Sequence, residues 1–167
     1  MQKKTHIAFG LLIFLILVKY FNMNLTLAVF AALGSIIPDI DWFLDKKYIP
    51  NFIKKITWNL IFPVGMHRTI FHNIWTLIIM IFIFLRISGS WIATIAFSIG
   101  LLSHLIADSL TISGIYWLWP IGDNRVLNQR KKIFFLRGPI KTGTVMEYAF
   151  QVSIYIIVGI LIAKNFI

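Results

Sequence analysis

No cysteine occurs in the 167 residues, which excludes a disulfide framework, a thiolate metal site and a thiol nucleophile. Charge is scarce too: Asp, Glu, Lys and Arg make up 13% of the chain, about half of the ~25% usual in soluble domains. Acids number only six. No Gly/Ser linker and no low-complexity tract interrupts the sequence, so disordered and fibrous classes fall away. What is there is apolar: 59% of residues are hydrophobic and 16% aromatic. That composition belongs to a polytopic membrane protein and excludes an ordinary soluble enzyme or a coiled coil. Five spans of ~20 residues would use about 100 positions, so residues 1–167 form a single transmembrane domain. A net charge of +10 would suggest nucleic acid in a soluble protein. Here no basic helix lies outside the apolar runs, so nucleic acid is not expected as a partner.

The fold expected is all-α, a bundle of about five transmembrane helices with interfacial inside loops. The first run is His6 to Phe21. Lys3 and Lys4 precede it as in a signal peptide, but no small-x-small cleavage pattern follows, so it reads as an uncleaved helix. The second run, Leu25 to Ile37, is stopped by Pro38 and is short for a span unless it begins near Asn22 or continues past the proline with a kink. The third is Ile70 to Leu85, with Thr69 as a cap. The fourth is Trp91 to about Ile112, entered by Ser88-Gly89-Ser90. The fifth is Val145 to Ala163, where Thr144 and Glu147 have capping-box spacing. With the N-terminus in the cytoplasm, thirteen of the 16 Lys and Arg fall inside; Lys19, Arg86 and Lys164 fall outside. This positive-inside bias sets a multi-pass protein of the cell membrane, its C-terminus outside. The inside loops, about 42–66 and 114–144, mix bases with Trp42, Trp58, Trp117 and Trp119 and favour the headgroup layer. Residues 49–62 are a candidate interfacial helix.

Ionisable groups inside a membrane protein are costly, so their positions are informative. On this topology His6 opens helix 1, Asp39 and Asp41 close helix 2, and His67 and His72 flank the start of helix 3. His104 and Asp108 lie in the inner half of helix 4, and Glu147 opens helix 5. All come to one depth of the inner leaflet, while Ile78-Ile79-Met80-Ile81-Phe82-Ile83-Phe84-Leu85 in the outer half is pure hydrocarbon. Each piece alone has a plain reading. His104-x-x-x-Asp108 shares a helix face and serves equally as two ligands or as a structural hydrogen bond. Pro38-Asp39-Ile40-Asp41 reads alone as interfacial acids, and Glu147 as a capping residue. Together His6, Asp39, Asp41, His67, His72, His104 and Asp108 offer N and O ligands for one or two divalent ions, zinc first, with manganese or iron as alternatives.

At these residues the sequence resembles the YdjM-type family of membrane-bound metal-dependent hydrolases. The matching pieces are Thr5-His6, Leu33-Gly34-Ser35-Ile36-Ile37-Pro38-Asp39-Ile40-Asp41, His67-Arg68-Thr69-Ile70-Phe71-His72 and Ser103-His104-Leu105-Ile106-Ala107-Asp108-Ser109-Leu110-Thr111. Gly114, Trp119-Pro120 and Thr142-Gly143-Thr144 with Glu147 follow in the family's order. Thr69, Phe71 and Asn73 stand where the family's third block reads Gly, Thr and Ser. The resemblance implies a small helical membrane protein with a cytoplasm-facing metal site. The His-x-x-x-Asp element is also similar to that of zinc-dependent phospholipase C and single-strand nucleases, which implies hydrolysis of a phosphate ester.

The expected chemistry is activation of water by the metal, with Arg68 offsetting oxyanion charge and Asp41 or Glu147 as general base. The inner-leaflet location fits a phosphorylated lipid or polyprenyl substrate, with membrane lipids as partners. A metal-ion transporter would instead need polar lining through both leaflets. A haem or quinone protein would leave the carboxylates unexplained. A non-catalytic membrane protein with a structural metal would close its coordination shell.

Overall fold

The computed structural model describes residues 1–21, 24–39, 71–121 and 135–166, and the chain is mostly helical there. Helix α1 spans Lys3–Phe21, α2 Ala28–Gly34, α3 Ile74–Ser88, α4 Trp91–Ser109 and α5 Val145–Phe166. Single 3-10 turns, Leu25–Leu27 and Ile37–Asp39, flank α2. Between α4 and α5 two short strands, β1 (Ile115–Tyr116) and β2 (Phe135–Leu136), pair antiparallel, with Ile115 opposite Leu136 and Tyr116 opposite Phe135.

Local chemistry sets the helix ends. Asn24 caps the turn into α2, its Oδ1 accepting from the Thr26 N–H at 2.9 Å. The helix then stops at Gly34, ahead of the turn containing Pro38, after only seven residues. The third apolar run was expected to become helical at Ile70 under a Thr69 cap. It begins instead at Ile74, because Asn73 takes the N-cap position in extended backbone and accepts from the Thr76 N–H at 3.0 Å. An asparagine there satisfies one of the orphan donors of the first turn. The consequence is functional: His72 lies in the segment ahead of the helix. At the other end of α3, Gly89 adopts a left-handed conformation (φ 62°) and its N–H bonds the Leu85 carbonyl. Ser90 caps α4 through the Ala93 N–H. The fourth helix is therefore entered at Ser88-Gly89-Ser90, as expected.

Among the described residues two helices, Trp91–Ser109 and Val145–Lys164, are long and apolar enough to cross a membrane. The expectation was about five. Two runs fall short for physical reasons: α2 is cut by the turn at Pro38, and α3 has 15 residues against the ~20 a span requires. α1 has 19 residues but carries Lys3 and Lys4 in its first turn and Lys19 in its last. The interfacial helix expected over 49–62 lies outside the described residues.

α4 is the central element. It packs against α1, α2 and α3, and α1 packs in turn against α2 and α5. The α2–α4 crossing brings backbone against backbone. A Cβ on Gly34 would overlap the Phe97 carbonyl oxygen, and one on Gly100 would overlap the Ala31 carbonyl oxygen. Small residues allow such an approach in membrane bundles, where packing and polar contacts hold helices together without a hydrophobic driving force. The faces turned away from α4 are apolar and exposed, as at Phe82 (62%) on α3 and Ile156 (58%) on α5.

Polar contacts that join the start of α3 to the segment after α4 gather at one end of the bundle. The Ile74 N–H at the start of α3 donates to the Trp117 carbonyl at 2.9 Å. Trp117 Nε1 donates to Ser109 Oγ at the end of α4 at 3.0 Å. The segment after α4 thereby fixes the start of α3. We expect Gly100→Ala to lower stability by about 1–3 kcal/mol, as overpacking does in tight interiors, read as a lower melting temperature in detergent. An unchanged melting temperature would mean that the α2–α4 crossing is looser than described.

Candidate metal centre

Five side chains from four segments meet at this end: His6 from α1, Asp39 from the turn after α2, His72 from the loop before α3, and His104 and Asp108 from α4. His6, His72, His104 and Asp108 are 1% exposed or less, and the Asp39 side chain is 12% exposed.

His104 sits at the centre. Its Nδ1 lies 2.8 Å from the carbonyl oxygen of Ser35. A carbonyl only accepts, so Nδ1 carries the proton and Nε2 presents its lone pair. That lone pair points into a cluster. His104 Nε2 is 3.0 Å from His72 Nε2, 3.8 Å from Asp39 Oδ1 and 3.8 Å from Asp108 Oδ2. His72 Nε2 is 3.6 Å from Asp39 Oδ1 and 3.5 Å from Asp108 Oδ2. The His6 ring stacks on that of His104, with centroids 3.8 Å apart and planes inclined by 16°. His6 Nε2 lies 3.3 Å from Asp108 Oδ1, and among the described residues neither ring nitrogen of His6 makes a hydrogen bond. The same Asp108 oxygen accepts from the Met1 amine at 2.6 Å.

Two overlapping groups are spaced to hold a metal ion: His6, His104 and Asp108, and Asp39, His72 and His104. The donor set is imidazole nitrogen and carboxylate oxygen, which suits zinc, manganese or iron. Burying imidazoles and carboxylates is costly unless they are paired or ligate a metal, and two imidazole nitrogens meeting at 3.0 Å with carboxylates beside both is an arrangement a cation resolves. Burial alone would raise the Asp39 carboxyl. The hydrogen bond with His72 and the nearby His104 and His6 imidazoles outweigh it and bring the pKa down from 3.8 to about 2. Asp39 is therefore ionised at neutral pH, the form in which a carboxylate ligates.

Of the residues singled out in the sequence, Asp41, His67 and Arg68 lie outside the described residues. Glu147 belongs to neither metal group. It is 1% exposed, and its Oε1 accepts from the Gln2 N–H at 2.6 Å and from Thr5 Oγ1 at 3.3 Å. Its Oε2 accepts from the Gly143 N–H at 2.7 Å. The expected capping box is thus displaced by one residue, and Thr144 Oγ1 donates to the Lys141 carbonyl instead. The reason is that Glu147 is drawn to the first turn of α1, where it fastens α5 to the helix that carries His6. Sequence reasoning missed the Ser35 carbonyl, since a backbone acceptor has no residue signature, and Asn73, whose only signal was its aptitude for an N-cap.

The YdjM inner membrane protein family model matches residues 1–166. The chain belongs to this family. It is therefore an inner membrane protein by family, and the YdjM assignment agrees with the block order read in its sequence. A relative from Bacillus subtilis (strain 168), the uncharacterized protein YvsG, is 31% identical over 123 residues, covering 72% of this chain and 74% of its own length. No solved structure matches. For this YdjM member, Glu147→Ala is expected to lower stability by about 1–3 kcal/mol, since it leaves buried donors without an acceptor. Thermal denaturation in detergent reads the change, and a neutral outcome would show that the α1–α5 fastening contributes nothing.

Proposed function

We propose that this YdjM-family protein is a membrane-embedded, metal-dependent hydrolase whose His/Asp site faces the cytoplasm and acts on a phosphate ester of a lipid-like substrate. One observation carries the reading: imidazoles and carboxylates from four separate segments converge, almost fully buried, at one end of an apolar bundle. A divalent ion, zinc first, would supply Lewis acidity and activation of water at neutral pH. His104, with its tautomer fixed by Ser35, His72, Asp39 and Asp108 are its candidate holders among the described residues. Arg68 would offset the charge that develops on the ester, and Asp41 is the candidate base.

The location supports the substrate class. Exposed Lys3, Lys4, Arg137 and Lys141 belong to the segments at the site end, and thirteen of the 16 bases in the sequence fall on the side we assign to the cytoplasm. Such a surface gathers anionic headgroups. A substrate with its phosphate at this depth keeps its tail against the apolar helix faces and need not leave the bilayer. Asp39, the most exposed of the candidate holders among the described residues, marks the side from which water and the ester would approach. All five helices would then traverse or enter the bilayer, with α1 starting in the cytoplasm and α5 ending outside.

A second reading has its own observation. Four protein ligands drawn together around one position make a closed shell, which is characteristic of a structural metal. Turnover separates the two. Purified protein in lipid nanodiscs is expected to release phosphate or a phosphorylated headgroup from a panel of phospholipids and polyprenyl phosphates, and to stop when a chelator is added. His104→Ala should abolish turnover, a loss of at least ~100-fold. Metal-loaded wild-type protein with no turnover across the panel would favour the structural ion.

A further inference from the structure

We infer that the cluster holds one cation, through Asp39, His72, His104 and Asp108, and that His6 stands outside the shell as a positioning residue for Asp108. The inference rests on the presence of a metal, which both readings above share, and names its shell.

The first argument is the shape of the four donors. Ligand atoms about 2.0–2.1 Å from an ion at tetrahedral angles lie about 3.3–3.4 Å from one another. Five of the six separations among Asp39 Oδ1, His72 Nε2, His104 Nε2 and Asp108 Oδ2 are 3.0, 3.5, 3.6, 3.8 and 3.8 Å. They bracket that edge, so small rotations about the side-chain torsions suffice to close on an ion. The planes of the His72 and His104 rings are inclined by 56°, which lets two in-plane lone pairs converge on one point.

The second argument removes His6 from the shell. An imidazole lone pair lies in the plane of its ring. The His6 and His104 planes are nearly parallel, at 16°, with centroids 3.8 Å apart. Lone pairs in stacked parallel planes run side by side and do not meet, so an ion in the plane of His104 lies well off the plane of His6. The two candidate groups also compete for His104, which has one nitrogen to offer because Nδ1 is committed to Ser35. They cannot both be filled.

What His6 does follows from the division of Asp108. Oδ2 faces His72 and His104, whereas Oδ1 faces His6 Nε2 at 3.3 Å. His6 Nε2, together with the Met1 amine at 2.6 Å, thus stands against the far oxygen of a carboxylate whose near oxygen faces the ion. Partners of this kind orient ligands, and losing one typically costs 10–100-fold in metal affinity.

The test uses the full chain purified in detergent, with zinc stoichiometry from elemental analysis, affinity by competition with a chromophoric chelator, and the visible spectrum of cobalt-loaded protein. Wild type is expected to bind one ion per chain with the intense bands of four-coordinate cobalt. His72→Ala and Asp39→Asn should lose the ion; the second, nearly isosteric, serves if the first does not fold. His6→Ala should keep one ion and the same cobalt bands at 10–100-fold lower affinity, and His6→Gln, which restores a donor to Asp108, should recover part of the loss. Two ions per chain, altered cobalt bands in His6→Ala, or loss of the ion as complete as in His72→Ala would overturn the assignment. Wild-type protein that binds no ion overturns the metal reading itself, so the two failures are told apart.

Discussion

The hydrogen bond from His104 Nδ1 to the carbonyl of Ser35 organises the rest of the site. It decides which nitrogen of His104 faces the cluster, and it exists only because α2 and α4 touch backbone to backbone. Gly34 and Gly100 allow that approach, and the turn at Pro38 ends α2 at the depth where a carbonyl is released from helical bonding. A packing device of glycines is thereby converted into a chemical one. The tautomer of a buried histidine is set by a backbone atom 69 positions away in sequence, the usual way in which an outer partner prepares a ligand.

The remaining groups are brought to the same depth by comparable fasteners. Asn73 ends the preceding loop by capping α3, which leaves His72 beside His104. Glu147 ties the start of α5 to the first turn of α1, and so to His6, through two accepted hydrogen bonds. These polar contacts belong to one end of an otherwise apolar bundle. Ionisable groups are costly in hydrocarbon and tolerable near its edge, so solvation favours the place where the cluster forms.

Part of this was legible in the sequence. The alternation of apolar runs, each with its ionisable groups on the same side, brought His6, Asp39, His72, His104 and Asp108 to one depth before any coordinates. The start of α4 at Trp91, behind Ser88-Gly89-Ser90, was readable too. The start of α3 was not, because apolar periodicity through Ile70 and Phe71 masks the cap that Asn73 supplies four residues after Thr69. The capping box at Thr144 and Glu147 misled for a related reason: a glutamate with a tertiary partner need not keep its local one. The length of α2 was ambiguous in the sequence because a proline can kink a helix or end it, and here the turn containing Pro38 follows its end at Gly34. The Ser35 carbonyl had no signal at all.

The central claim is that imidazole and carboxylate groups from distant segments enclose a cation at one end of the bundle. X-ray absorption at the metal edge of zinc-loaded protein in a lipid bilayer tests it most directly. The account predicts a first shell of nitrogen and oxygen about 2.0–2.1 Å from zinc, with the outer-shell scattering that imidazole rings produce. A shell of oxygen alone, without imidazole scattering, would contradict it.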